Sequence, residues 1–177
     1  MLVQLNFQLQ HDSILRYISN CIDTTKFEMF VDIEGKKTQT GGTIPVEHCI
    51  TPLRPDIVIV NQRKKTLDIF ELTCPLEPNI KTRHAEKQEK YAHFVTDIDQ
   101  LKTNVTCFEI GSRGYLSHDN QARLKSLHSF CKPNIKLKTF KENICALAIY
   151  TSYAIFISRK EPNWLQPEHL KPPFSEN

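Results

Sequence analysis

The sequence predicts an α/β domain, a mixed β-sheet of about four strands flanked by helices. Three observations predict it. Two β-rich runs, residues 55–60 and 67–73, are joined by the short charged turn NQRKK and read as a β-hairpin. A long helical stretch and one further strand follow, so the last strand returns to the sheet across a helical connection. The chain has 177 residues, 40% hydrophobic and 24% charged, the size and composition of one globular domain.

In chain order, the first helix is expected to begin at Asp12 or Ser13 as N-cap, with Ile14, Leu15, Ile18 and Ile22 on one face. Phe27, Met29, Val31 and Ile33 alternate with Glu28, Phe30 and Asp32, the period of a strand. The polar stretch GKKTQTGG (35–42) predicts a mobile loop before the hairpin. A helix is expected over 81–103, with an apolar face of Tyr91, Phe94, Val95, Ile98 and Leu101. Residues 104–111 predict the fourth strand, and 118–131 and 141–158 two closing helices. Residues 1–160 thus form a single domain, and 161–177, with four prolines, an irregular tail that Trp164 would anchor if it docks.

The longest apolar stretch, residues 144–157, is 14 residues long, short of the ~20 a bilayer span needs. It predicts a buried helix, and no membrane association. Six cysteines lie 14 to 33 residues apart without CxxC or CxxH spacing, which argues against a structural zinc. Several stand in apolar runs, as small buried hydrophobes do. Together with an N-terminus unlike a signal peptide, they predict reduced thiols in an intracellular protein. The net charge is only +3, yet residues 113–141 carry seven Lys or Arg and one acid, Asp119. A basic side beside an acidic segment suits a protein that grips a polyanion and holds a cation.

Two acids in the hairpin carry the chemistry. Pairing Val60 with Leu67 and Val58 with Ile69 sets Asp56 opposite Glu71, on one face and within one cross-strand spacing of ~5 Å. Asp68 falls on the other face in that register. Two carboxylates among Ile and Val repel unless a cation neutralises them, and oxygen-only ligation suits Mg²⁺ or Mn²⁺. Extending the helix face back one turn puts Lys87 within roughly 20° of its centre and Lys90 about 75° away. An inward lysine beside two acids requires negative charge to face.

These residues resemble a family. Arg54-Pro55-Asp56, Glu71 after fourteen intervening residues, Thr73-Cys74-Pro75, and Lys87-Gln88-Glu89-Lys90-Tyr91 are similar to the restriction-like endonuclease domain of site-specific non-LTR retrotransposons. That domain belongs to the PD-(D/E)xK nuclease superfamily. The motifs cover residues 54–110, and the order of elements most of 10–158. One departure concerns the superfamily's ExK, which is Glu71-Leu72-Thr73 here, so the strand lysine is missing. In the retroelement branch it stands on the following helix, which fits Lys87 with Lys90 as substitute.

The resemblance implies a restriction-endonuclease-like core and metal-dependent phosphodiester hydrolysis, with nuclear residence. Asp56 and Glu71, with a backbone carbonyl beside Leu72, would hold Mg²⁺ or Mn²⁺, and Lys87 would stabilise charge on the phosphate. Lys90, Glu28, Asp32 and Thr73 are candidate supports, Glu28 or Asp32 as an added ligand. Glu77 and Tyr91 also match the family and are expected to be mainly structural. Double-stranded DNA would be held through its backbone by Lys81, Arg83, Lys90, Arg113, Arg123, Lys125 and Lys132. Arg54 either touches phosphate or pairs with an acid, and His84 packs or contacts phosphate. The alternative is an inactive, domesticated DNA-binding or protein-interaction module on the same fold. Oligomeric state and target sequence are not legible.

Overall fold

The computed structural model describes residues 2–92 and 101–158, with side chains over 8–92 and 101–157. The predicted face residues Phe94, Val95 and Ile98, and the tail 161–177 with Trp164, lie outside the described residues. Among the described residues the α-helices and strands run α1 (Leu2–Cys21), β1 (Glu28–Val31), β2 (Ile57–Asn61), β3 (Thr66–Thr73), α2 (Ile80–Tyr91), β4 (Lys102–Glu109), α3 (His118–His128) and α4 (Leu137–Ser158), with a 3-10 turn over Glu77–Asn79 before α2. The four strands make one mixed sheet in the order β1-β2-β3-β4. β1, β2 and β3 are antiparallel neighbours, and β4 pairs with β3 in parallel. The fold class is therefore α/β, as the alternation of elements predicts.

The hairpin takes the expected register, Val58 opposite Ile69 and Val60 opposite Leu67. Strand periodicity then splits the sheet into two apolar faces. Ile57, Ile59, Phe70 and Leu72 pack under α1, α3 and α4 with Ile14, Leu15, Ile18, Leu124, Phe140 and Ile144. Val58, Val60, Leu67 and Ile69 form the smaller second core with Ile44, Tyr91, Leu101 and Cys107. Residues 57–60 are buried on both faces, which explains why this strand reads as a continuous Ile-Val run.

Several predicted boundaries shift: β4 runs two residues earlier than 104–111, and α3 ends at His128 rather than 131. Helix α1 does not start at Asp12 or Ser13 but at Leu2, and runs through both positions. Its polar Gln10 is buried at the α4 interface, where Nε2 donates to the Ala148 carbonyl and Ser152 Oγ, each at 3.0 Å. The helix over 81–103 does not reach its predicted end: β4 already begins at Lys102, whose N–H bonds the Lys65 carbonyl at 2.9 Å. Leu101 fits a helical period but serves the second core from the strand side. Helix α4 starts four residues earlier than predicted, at Leu137. Its apolar run buries Ile144, Leu147, Ala148 and Ala154 but leaves Ile149, Tyr153 and Phe156 exposed. No helix among the described residues is long and apolar enough to cross a membrane. All six cysteines are free thiols.

Candidate active site at the sheet edge

Where the β2–β3 ladder ends, the two predicted acids take it over. Pro55 cannot donate a ladder hydrogen bond, so regular pairing stops there and Asp56 precedes β2. The Asp56 N–H donates to Glu71 Oε2 at 3.1 Å, and the Leu72 N–H donates to Asp56 Oδ2 at 2.7 Å. Each carboxylate thus satisfies a backbone donor on the other's strand. Both are buried, Asp56 to 6% exposure and Glu71 to 2%. Thr43 anchors the preceding loop by donating its hydroxyl to the Pro55 carbonyl at 2.7 Å.

Lys87 reaches this pair from α2 and donates to Glu71 Oε1. The Lys90 ammonium stands farther off, 3.8 Å from the same oxygen, and donates to the Tyr91 hydroxyl at 2.9 Å. Tyr91, fully buried, hydrogen-bonds Glu71 in turn. Burial and the charge of Asp56 raise the Glu71 pKa against the opposing pull of Lys87 and Lys90. Burial disfavours the Lys87 ammonium, but Glu71 and Asp56 outweigh it and hold the pKa above the ordinary lysine value. Lys87 therefore stays charged at neutral pH.

A fourth group comes from α1. His11 Nε2 lies 3.1 Å from Asp56 Oδ1, and its Nδ1 lies 3.2 Å from Asp12. His11, Leu72, Thr73, Arg83 and Lys87 line a cleft of about 520 Å³ that opens beside the acids. Sequence reading missed His11 because it lies one residue before the assumed helix start. It also missed Glu109, although the apolar run TCFEIG offered the same signal as Glu71, an acid that burial forces to find a partner. Glu109 is 1% exposed and faces His84 and Arg123. Cys107, the register partner of Glu71, is no nucleophile: burial and the nearby Glu71 and Glu109 push its thiol up to about 11.

Asp56, Glu71 and Lys87 converge with Lys90 at the margin, and the buried hydroxyl of Thr73 has no hydrogen-bond partner among the described residues. Glu28 stands apart, exposed and paired with Val60 at the far end of β2. Asp32 lies beside Asp56 through its N–H, which donates to the Asp56 carbonyl at 2.9 Å. Its carboxylate turns to Arg54 at 2.6 Å and Lys37 at 3.0 Å. Burial opposes ionisation of Asp32, but these two cations outweigh it and lower its pKa. Of the two readings of Arg54, the structure takes pairing with an acid.

The predicted DNA contacts divide likewise. Lys81 and Arg83 are exposed on α2, Arg83 pairing with Glu86 at 2.7 Å. Arg113 is clipped to Glu77, donating from Nε at 3.0 Å and from its N–H at 2.8 Å. His84 and Arg123 face each other and Glu109. Lys125 is exposed on α3, and Lys132 donates to the Asn20 carbonyl near the end of α1, far along that helix from His11.

The oxygen donors of the site are the carboxylates of Asp56 and Glu71. Among the described residues no group of three or more His, Cys, Asp and Glu side chains is arranged to hold a metal. Mg²⁺ takes one or two carboxylates and keeps several waters. Two buried, mutually repelling carboxylates beside an open cleft offer that kind of ligation. No family model matches the chain, and a search of curated proteins finds no relative.

Proposed function

We propose that this chain is a divalent-metal-dependent DNA endonuclease. The observation that carries the reading is the meeting of Asp56, Glu71 and the Lys87 ammonium at one sheet edge beside an open cleft. Asp56 and Glu71 would hold Mg²⁺ or Mn²⁺, which when bound acidifies water and polarises phosphate oxygens. The chain's own residues do the rest. Lys87, fixed and charged, meets the negative charge that grows on a phosphodiester in the transition state. The cleft, lined by Arg83 and Lys87, would admit the backbone, and the exposed Lys81 and Lys90 of the same helix would add positive charge that positions it. Burial around Glu71 lowers the local dielectric and strengthens each of these interactions. The sequence resemblance to retroelement endonucleases points to the same chemistry.

The test is nicking of supercoiled plasmid with Mg²⁺ or Mn²⁺, with and without EDTA. Nicking is expected to need the metal and to fall on the order of 100-fold or more in Glu71→Gln, as loss of a group that acts on the transition state does. Cleavage unchanged in that variant would falsify the reading.

One observation favours the second reading, a DNA-binding or protein-interaction module without catalysis. Both acids already face internal cations, Glu71 with Lys87 and Asp56 with His11, so the cluster is neutralised without an ion. DNA binding without cleavage under either metal would select it.

A further inference from the structure

Helix α2 holds a single buried side chain, Tyr91, at its last position. Its other residues, IKTRHAEKQEK, bring no buried apolar group to the sheet. Hydrophobic burial therefore does little to set the rotation of α2 about its axis, and polar contacts must set the aim of Lys87. His84 stands one turn before Lys87 on the same stripe. Its Nδ1 is 2.8 Å from Glu109 Oε1 on β4, and its Nε2 is 3.1 Å from Arg123 Nη2 on α3. Arginine only donates, so Nε2 accepts, and the ring proton sits on Nδ1 and is donated to Glu109. The imidazole is thus gripped from both sides by two different elements.

The grip is itself braced. The Glu109 N–H donates to Asn120 Oδ1 at 3.2 Å, and Arg123 Nη1 donates to that same oxygen at 3.0 Å. Arg123 Nη1 also lies 3.5 Å from Glu109 Oε2, which has no hydrogen-bond partner among the described residues. Asn120 is buried in the first turn of α3, where its N–H is capped by Ser117 Oγ at 3.2 Å. His84 and Arg123, expected from sequence as phosphate contacts, point these donors at one another and at Glu109.

We propose that His84, Glu109 and Arg123 form a clamp that positions Lys87 by fixing the rotation of α2. Its catalytic consequence rests on the nuclease reading above, whereas its effect on Lys87 does not. His84→Ala removes both contacts, and His84→Asn keeps a donor where Nδ1 stood. In metal-free protein, acetic anhydride labelling of Lys87 is read by mass spectrometry against exposed Lys81. Lys87 labelling is expected to rise on the order of tenfold in His84→Ala, as local opening exposes it, and to fall back in His84→Asn. Glu89→Ala, on the exposed side of α2 turned away from Lys87, should leave it unchanged. In the nicking assay kcat should drop about 10- to 100-fold in His84→Ala with KM nearly constant, the mark of misplacement rather than weaker binding.

Unchanged Lys87 labelling in His84→Ala overturns the clamp, whatever the nicking result. Wild-type protein that never nicks while labelling responds overturns the nuclease reading and leaves the clamp standing. Should His84→Ala fail to fold, Arg123→Gln opens the far side of the imidazole and is judged by the same labelling.

Discussion

His11 presents both ring nitrogens to carboxylates, Nδ1 to Asp12 and Nε2 to Asp56. An imidazole bonded in this way is doubly protonated. Burial disfavours that charge, but the hydrogen bonds to Asp12 and Asp56 outweigh it and raise the pKa to about 10. The unfolded chain releases this proton near pH ~6.5. Between the two values the folded state binds more protons, so stability falls as pH rises. The His11 contribution is present in full below about pH 6.5 and lost through about pH 10. Urea unfolding should show a loss of ~1 kcal/mol or more between about pH 7 and 9.5, and His11→Gln should flatten that slope. Equal slopes in the two proteins would contradict it. Lys87, its pKa held above the ordinary lysine value, titrates above this window.

Among the elements, the hairpin was the most legible because two independent signals agree on it. Period-2 alternation fixes which side chains share a face, and the turn between Asn61 and Thr66 fixes the register. That register alone predicted the meeting of Asp56 and Glu71. The helices were less legible where tertiary contacts override local pattern. The stretch LVQLNFQLQ, read as lying before the helix, is helical, and Gln10 at its end finds acceptors on α4. Lys102 and Thr103 follow a helical run, yet they pair with Thr66 and Leu67 in the sheet. The turn before α3 gives an element-scale prediction. Gly114 sits at φ +79°, and an added Cβ would come within 2.8 Å of Ile149 and 3.0 Å of the Cys145 carbonyl. Gly114→Ala should cost about 1–3 kcal/mol by thermal unfolding, from left-handed strain and overpacking together. Gly41→Ala serves as a control, since that glycine shares the backbone strain but meets nothing within 4 Å.

Across the molecule, linear charge proved a poor guide to free charge. The basic segment 113–141 disperses: Arg113 turns to Glu77, Arg123 to Glu109, Lys132 to a backbone carbonyl and Lys138 to Glu142 at 3.9 Å. Sequence counts do not show most of this pairing, because the partners of Arg113, Arg123 and Lys132 lie on other elements, and only Lys138 pairs within its own helix. This sets the salt dependence expected of DNA binding. Lys81, Arg83 and Lys90 remain as the exposed cations of α2. Fluorescence anisotropy with duplex DNA should give a slope of log K against log salt near −3, from about three neutralised phosphates. A slope beyond about −6 would mean that the internal pairs open on DNA.

The parallel pairing of β3 with β4 has a temporal consequence. A hairpin closes within microseconds, whereas strands that run side by side must wait for the segment between them to loop back. Lys87 rides on that segment. This topology predicts that the two acids meet before their ammonium arrives, and that the Lys87 contact forms once the last ribbon has docked. A chain cut before residue 102 would hold both acids and the lysine in its sequence yet lack the strand whose docking seats them together.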